Sequence, residues 1–278
     1  MNIKHLITTA AGNLDKSDSA RLDAEVLLSH VLNVDRSYLF AHPEQNISDN
    51  EKKLFLKLID KRIQGTPIAH LTGKKEFWSL QLQVTSDTLI PRPETETLTE
   101  AVLAQIPANV AWEIADLGTG SGAIALTIAK ERPLCSVTAT DLSDKAIDVA
   151  KHNAQQLNIH NIRFTTGNWF EPLAGQYFHI IVSNPPYIAE NDPHLKQGDV
   201  QFEPLSALVA DNNGLECIES ISRQAAHYLR PEGLLAFEHG HKQGDAVRQT
   251  LTNHNYIKVQ TLSDLAGLAR VTMGKLAD

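Results

Sequence analysis

In the run IIVSNPPYIAEND, a strand-like stretch meets Asn184, Pro185, Pro186 and Tyr187. Proline has no N–H to give a sheet ladder, so the strand stops there and a polar amide is left at its tip. Asn184 presents a side-chain carbonyl, and Pro185 a backbone carbonyl released from the ladder, so two acceptors can converge on one NH₂ group. Tyr187 adds a flat face for a planar partner. Such a set suits holding an amide or amino nitrogen still; the bland alternative is a Pro-Pro turn, commonplace in loops.

A second constellation lies upstream in ADLGTGSGAIALTIA, which reads as a strand, a glycine loop and a helix start. Gly118, Gly120 and Gly122, with Thr119 and Ser121 between them, let the backbone turn tightly and approach a ligand, and the helix start offers unpaired N–H groups. A nucleotide-like cofactor is implied, with a ligand-free βα turn as the alternative. Gly118, Gly120 and Ala123, followed by Asp141, also satisfy the loose dinucleotide pattern. Asp116, however, stands just before the first glycine, where a carboxylate accepts hydrogen bonds or meets a cation and would repel a pyrophosphate. Asp141 ends the next strand, where a carboxylate can take both hydroxyls of a ribose, with a plain helix cap in DLSDKA as the alternative. Trp169, in TTGNWF after the third strand, offers an indole to pack on an adenine face or to join the core.

From about residue 111, strands and helices alternate: WEIADLG, a helix through Ile124 to Lys130, CSVTATD, a helix through Ala146 to Leu157, IRFTTGN, then FHIIVSN. This is the periodicity of parallel βαβ units. A helix over 214–229, the strand GLLAFEHG, a helix from Asp245 and the strands YIKVQTL and RVTMGKL follow. The polar stretch between Ala189 and Asn213 suits a functional loop better than a packed connection. The first 70 residues read as short helices, with Leu22, Val26, Leu27 and Val31 near one face behind Ser17 or Ser19, and Leu54, Phe55, Leu58 and Ile59 striping a helix capped by Ser48 and Glu51. Between the two parts, EFWSLQLQVTSDTLI alternates as a hairpin through Phe77, Leu80, Leu82 and Val84. In PRPETETLTEAVL, Pro93 suits the first helical position, and Arg92 either belongs to a plain helix start or forms part of a lid over a site. The expected organisation is a helical bundle over 1–72, a β-hairpin linker over 73–90 and an α/β domain over 91–278.

The chain has 278 residues and a net charge of −8 with no concentrated basic face, which speaks against broad nucleic-acid binding. Cys135 and Cys217 lie far apart without metal spacing and read as buried thiols rather than a disulfide framework. No long apolar run and no signal-peptide pattern occurs, so no membrane contact and a cytoplasmic location are expected.

With both motifs in one domain, DLGTGSG followed by Asp141 and then NPPY resembles the class I S-adenosylmethionine-dependent amino-methyltransferases. LIPRPETE, NPPYI, FEPLSALVADNNGLE and DLAGLARV, behind a small helical domain, narrow the resemblance to the peptide chain release factor glutamine methyltransferases, the HemK/PrmC family. The likeness covers residues from about 20 to 275. It implies a Rossmann-like, mostly parallel seven-stranded sheet with helices on both faces. It implies S-adenosyl-L-methionine as cofactor, held by Gly118, Thr119, Gly120, Ser121 and Gly122 at its methionine part, by Asp141 at the ribose and by Trp169 at the adenine. It also implies that Asn184 to Tyr187 bind the glutamine of the Gly-Gly-Gln loop of class I release factors, with Asn184 near the methyl group, and that the helical domain docks this protein substrate. Two positions depart from the family pattern: Asn168 and Ala269 stand where acidic residues are more usual. The alternatives are a nucleic-acid adenine or cytosine amino-methyltransferase and a non-catalytic binding module of the translation apparatus.

Overall fold

The computed structural model of the chain describes residues 1–15 and 17–277. Its contacts divide it into two units, Met1–Lys74 with Lys196–Phe202, and Lys75–Leu195 with Glu203–Asp278.

The first unit carries α1 (Ile3–Asn13), α2 (Ala20–Leu32), α3 (Arg36–Ala41), α4 (Asp49–Ile63) and α5 (Ile68–Thr72). Ile3, Leu6, Leu27, Leu28, Phe55 and Ile59 form its core. The capping box at α4 is present: Ser48 accepts from the Glu51 amide and Glu51 reaches back to the Ser48 amide. Two helix faces depart from the expected stripes, because Leu22 and Leu54 are exposed. Carboxylates take the buried positions in α2 instead. Asp23 is paired with Arg62 at 2.8 Å and Glu25 with Arg36 at 2.6 Å and Arg21 at 3.0 Å, which meets the requirement that a buried charge be partnered. Ser19 is the N-cap of α2 but makes no cap hydrogen bond; its hydroxyl donates to Asp23. Within this unit the Lys196–Phe202 segment is held by Arg62 to Asp199 at 3.5 Å, and the Phe202 ring packs against Gly65.

A hairpin of β1 (Lys74–Phe77) and β2 (Leu80–Gln83) follows, turned by Trp78 and Ser79, both with positive φ, as a two-residue turn that matches strand twist requires. Phe77, Leu80, Leu82 and Val84 are all buried, as their alternation predicts. The second unit continues with α6 (Thr95–Gln105), β3 (Glu113–Leu117), α7 (Ala123–Glu131), β4 (Ser136–Asp141), α8 (Asp144–Gln156), β5 (Ile162–Thr166) and β6 (Phe178–Ser183). After the Pro-Pro turn come the short turn α9 (Asp211–Gly214), α10 (Glu216–Ala225), β7 (Leu229–Glu238), α11 (Gly244–Asn253), β8 (Tyr256–Ser263) and β9 (Ala269–Leu276). Pro93 lies two residues before α6 rather than at its first position, in a tight turn where the Thr95 and Glu96 amides donate to the Arg92 and Pro93 carbonyls.

Seven strands form one sheet in the order β5-β4-β3-β6-β7-β9-β8. The five from β5 to β7 are parallel, while β9 runs antiparallel to both β7 and β8. Parallel strands covered on both faces read as apolar runs. Ile180 and Val182 accordingly face a core with Leu98, Val102 and Leu126, while Ile181 faces Ile218, Ile221 and Val247 on the other side. The α/β architecture with helices on both faces is the one expected. Strand order reverses at β3, whose neighbours are β4 and β6, and this is where open α/β sheets leave a crevice at the strands' carboxyl ends. Among the described residues no helix is long and apolar enough to cross a membrane.

Candidate active site

A cavity of about 590 Å³ opens at that reversal point. Gly118 and Gly120 after β3, Asp141 at the end of β4, Trp169 beyond β5, and Asn184 and Pro186 beyond β6 all line it, so four consecutive strand ends converge on one space. Of the sequence-derived candidates, Thr119, Ser121, Gly122, Pro185 and Tyr187 do not line it. Thr119, Ser121 and Gly122 shape the wall from behind instead. The Thr119 hydroxyl donates to Asp116 Oδ2 at 2.6 Å, and the Ser121 carbonyl accepts from Asn153 at 2.9 Å. At Gly122, with φ +86°, a Cβ would fall 2.9 Å from Leu126, so this glycine allows α7 to close on its neighbours.

Four amides of the loop are committed to the protein. Gly118 and Thr119 N–H both donate to the Thr140 carbonyl at 2.9 Å, Gly120 N–H donates to Asp141 Oδ2 at 2.9 Å, and Gly122 N–H donates to the Thr119 carbonyl at 2.8 Å. These four are not available to a phosphate. No lysine or arginine lines the cavity among the described residues, whereas Asp87, Asp141 and Glu216 do. The electrostatics therefore suit a ligand that carries positive charge and no phosphate, and set the dinucleotide pattern aside.

Asp141 is half-buried; its Oδ1 accepts from Ser143 N–H at 2.9 Å, so one carboxylate ties the glycine loop to the start of α8. Burial raises its pKa, opposed by the Ser143 and Gly120 amides. Trp169 stands in the left-handed region with φ +47° and lays its ring on Gly118, where an added Cβ would lie 3.3 Å from it. Glycine at 118 thus lets the indole border the cavity. Cys217, read from sequence as a buried thiol, is half-buried and also lines the cavity. Burial, then Glu216, pushes its thiol up to about 11, so it stays neutral at physiological pH and is no nucleophile.

Asn184 is the decisive side chain. Its Nδ2 donates one hydrogen bond to Thr95 Oγ1 at 3.4 Å, which turns the NH₂ end of the amide toward Thr95 and the Oδ1 end away from it. Tyr187 is anchored elsewhere: its hydroxyl donates to Glu238 Oε1 at 3.1 Å, and burial pushes the phenol's pKa up. Arg92 does not hang over the cavity as a lid. It pairs with the buried Glu203 carboxylate, which also accepts from Ile90 N–H at 2.7 Å, so the segment before α6 is strapped to the loop after the Pro-Pro turn. Sequence reasoning missed Thr95, Glu203 and Glu238. The quoted runs LIPRPETE and FEPLSALVADNNGLE contain Thr95 and Glu203, and nothing local marked Glu238.

Asp116 is fully buried, and its Oδ1 has no hydrogen-bond partner among the described residues. Burial, opposed by the Thr119 hydroxyl, moves its pKa from 3.8 to about 7. The folded chain then holds a proton here that the unfolded chain releases, so stability falls as pH rises from the unfolded value to about 7 and levels off above it. The drop amounts to about 4 kcal/mol at most, taking roughly 1.4 kcal/mol per unit. Asp116→Asn has no such proton to lose. In thermal melts of the ligand-free protein, its melting temperature should gain on wild type by several degrees between about pH 5 and about pH 8. Parallel pH profiles for the two proteins would refute this account of Asp116.

Residues 5–73 match the PrmC N-terminal domain, and residues 92–200 match the Methyltransferase small domain. The chain is 48% identical over 275 residues to the release factor glutamine methyltransferase of Salmonella typhimurium, covering 99% of each chain. It is 51% identical over 260 residues to the release factor glutamine methyltransferase of Vibrio cholerae, covering 93% of this chain and 91% of the other. Among solved structures, a methyltransferase from Pyrococcus furiosus shares the fold with a TM-score of 0.56 at 17% identity, over 83% of this chain and 100% of that one. Identity of about half along nearly the whole of both chains shows that this protein belongs to the release factor glutamine methyltransferase family.

Proposed function

We propose that the second unit binds S-adenosylmethionine in the cavity at the strand ends and methylates the side-chain amide nitrogen of the glutamine in the Gly-Gly-Gln loop of class I peptide chain release factors. The observation that carries this reading is the orientation of Asn184, whose NH₂ donates one hydrogen bond to Thr95 and so turns the carbonyl oxygen the other way, where it is left for an incoming NH₂. Family membership supports the choice of amide.

The cavity fits the methyl donor by its chemistry: carboxylates and, among the described residues, no cation along the wall, an indole beside a glycine, and a volume of about 590 Å³, within the usual range for a small-molecule site. Gly118 and Gly120 would lie along its methionine part, Asp141 at the ribose and Trp169 at the adenine. When bound, S-adenosylmethionine supplies an electrophilic methyl group on a sulfonium sulfur. The task left to the chain is the acceptor. An amide nitrogen is a weak nucleophile because its lone pair is delocalised into the carbonyl. Asn184 Oδ1 and the Pro185 carbonyl, accepting from both hydrogens of the substrate NH₂, would aim the nitrogen and favour the positive charge that develops on it. Positioning and electrostatics then carry the rate, and the surplus proton leaves the methylated nitrogen for an acceptor or water.

The helical unit is proposed to dock the release factor, in keeping with the exposed Phe40, Leu54, Leu56 and Ile63 on it. Phe40→Ser with Leu54→Ser should raise the KM for the release factor several-fold at unchanged donor affinity; an unchanged KM would remove docking from this surface. The overall reading is tested by incubating the protein with methyl-labelled S-adenosylmethionine and, in separate reactions, a class I release factor, DNA and RNA, then locating the label by mass spectrometry. Label on the Gly-Gly-Gln glutamine is expected. Label on nucleic acid alone would overturn the proposal.

A further inference from the structure

The prolines of the Asn-Pro-Pro-Tyr turn have no N–H, so the turn cannot be held by donation from Pro185 or Pro186. Holds appear directly after them. Ile188 N–H donates to the Leu208 carbonyl at 2.9 Å, and the Tyr187 carbonyl accepts from Gln243 Nε2 at 3.0 Å. The same Nε2 donates to the Asn213 carbonyl at 3.1 Å, while Gln243 Oε1 accepts from Gly240 N–H at 2.8 Å. Every partner of this amide is a backbone group of fixed polarity, since a carbonyl can only accept and a peptide N–H can only donate. The Gln243 side chain therefore has one orientation. Flipped, it would set its oxygen against two carbonyl oxygens and its NH₂ against an N–H.

The space around this amide admits little else. A Cβ on Gly214 would lie 2.8 Å from Gln243 Nε2, and one on Gly240 would lie 3.0 Å from Oε1. Gly214 also ends a left-handed run that includes Asn212 at φ +52° and Asn213 at φ +55°, a conformation that costs energy in residues with a side chain and persists where the surroundings hold it. The run delivers the Asn213 carbonyl to Gln243. Beyond each of the two carbonyls the chain enters the cavity wall: Pro186 comes just before Tyr187, and Glu216, Cys217 and Ser220 of α10 follow Asn213. One side chain thus ties the turn that would hold the substrate amide to the wall that α10 provides.

We propose that Gln243 is a positioning residue for methyl transfer: its bonds to the Tyr187 and Asn213 carbonyls fix the tail of the Asn-Pro-Pro-Tyr turn against the start of α10, and with it the place of Asn184 and the Pro185 carbonyl beside the methyl donor. Both proline rings fix their φ angles, so little freedom remains between Asn184 and Tyr187, and a shift of the Tyr187 carbonyl is passed back along the turn. The inference rests on the reading of that turn as the amide-binding element. The donor is placed against Gly118, Gly120, Asp141 and Trp169, none of which is a hydrogen-bond partner of Gln243, so turnover and donor affinity should part.

Gln243→Glu isolates this role. It keeps the shape and the acceptor for Gly240 N–H, but an oxygen replaces the NH₂ and faces the two carbonyls; protonated, it could return one of those bonds and never both. The test measures methyl transfer to a release factor together with equilibrium binding of S-adenosylmethionine and thermal melts. Gln243→Glu should lower kcat about tenfold or more while donor affinity stays within about threefold and the protein remains folded. Combined with Gly214→Ala, which displaces the same Tyr187 carbonyl, it should cost less than the product of the two single losses. Turnover within about twofold of wild type, an equal loss of donor affinity, or losses that simply multiply would overturn the inference. Should Gln243→Glu fail to fold, Gln243→Asn decides: an amide one methylene shorter cannot span Gly240 and both carbonyls, so it should lose about tenfold as well, and wild-type turnover overturns the proposal. The two failures are separable. Wild-type protein that leaves the release factor unlabelled defeats the functional reading, whereas active wild type with unaffected Gln243→Glu defeats only the role of Gln243.

Discussion

Asn184→Ala is expected to lower methyl transfer to the release factor by about 10²- to 10³-fold, the range seen when one preorganised polar contact to developing charge is removed. The alanine deletes the acceptor that would aim the substrate NH₂ and leaves Thr95 Oγ1 without its 3.4 Å donor, but it removes none of the other walls of the cavity. Gly118, Gly120, Asp141 and Trp169 remain in place, so affinity for S-adenosylmethionine should fall by less than about tenfold. The split between turnover and binding is the diagnostic. Isothermal titration with the donor, set beside single-turnover kinetics with excess enzyme, separates the two. Equal and small losses in both would deny Asn184 its part in holding the amide.

The second large effect is expected at a residue that touches neither ligand. Gly214 has φ +82°, and a Cβ built on it would lie 2.0 Å from the Tyr187 carbonyl oxygen and 2.6 Å from its carbonyl carbon. Backbone cannot swing aside as a flexible side chain can. Gly214→Ala must displace the tail of the Asn-Pro-Pro-Tyr turn, and with it the hydrogen bond that Gln243 Nε2 donates to the Tyr187 carbonyl at 3.0 Å. Misplacing a positioning element by about 1 Å can cost roughly 10²-fold in rate, and that is the drop expected here. Gly175 provides the control: it also has positive φ, at +76°, but nothing within 4 Å of its Cβ position. Gly175→Ala should lose only about 1 kcal/mol of stability and leave turnover unchanged. Circular dichroism melts with steady-state rates distinguish the pair, and similar rates for both variants would mean that the Tyr187 carbonyl is not held where it must be.

What could be read from sequence was the chemistry that a short stretch encloses. A proline pair stops a strand wherever it falls, three alternating glycines turn a backbone without outside help, and the carboxylate ending β4 is placed by its own strand. Asn184, Gly118, Gly120 and Asp141 were legible on those grounds, as was the alternation that builds the parallel sheet. Relations that span the fold were not. Glu238 looks like the polar end of a strand until the register of β7 beside β9 brings Arg270 near it and Tyr187 reaches it from across the sheet. Thr95 reads as a helix start. Gly214 sits in a polar loop whose need for glycine arises from a carbonyl 27 positions earlier in the chain. The departure in α2 has a related cause, since Asp23 and Glu25 are buried there and satisfied by Arg62 and Arg36 of other helices together with Arg21.

The insertion of β9 between β7 and β8 bears on how the protein matures. A sheet whose strands were laid down in the order of synthesis could close as the ribosome delivered them, but here β8 emerges with no neighbour to join and waits for β9. Until then β7 is an open edge, and Glu238 at its tip lacks the arginine that β9 brings. The sheet therefore closes only when the strand at Ala269–Leu276 has docked between β7 and β8.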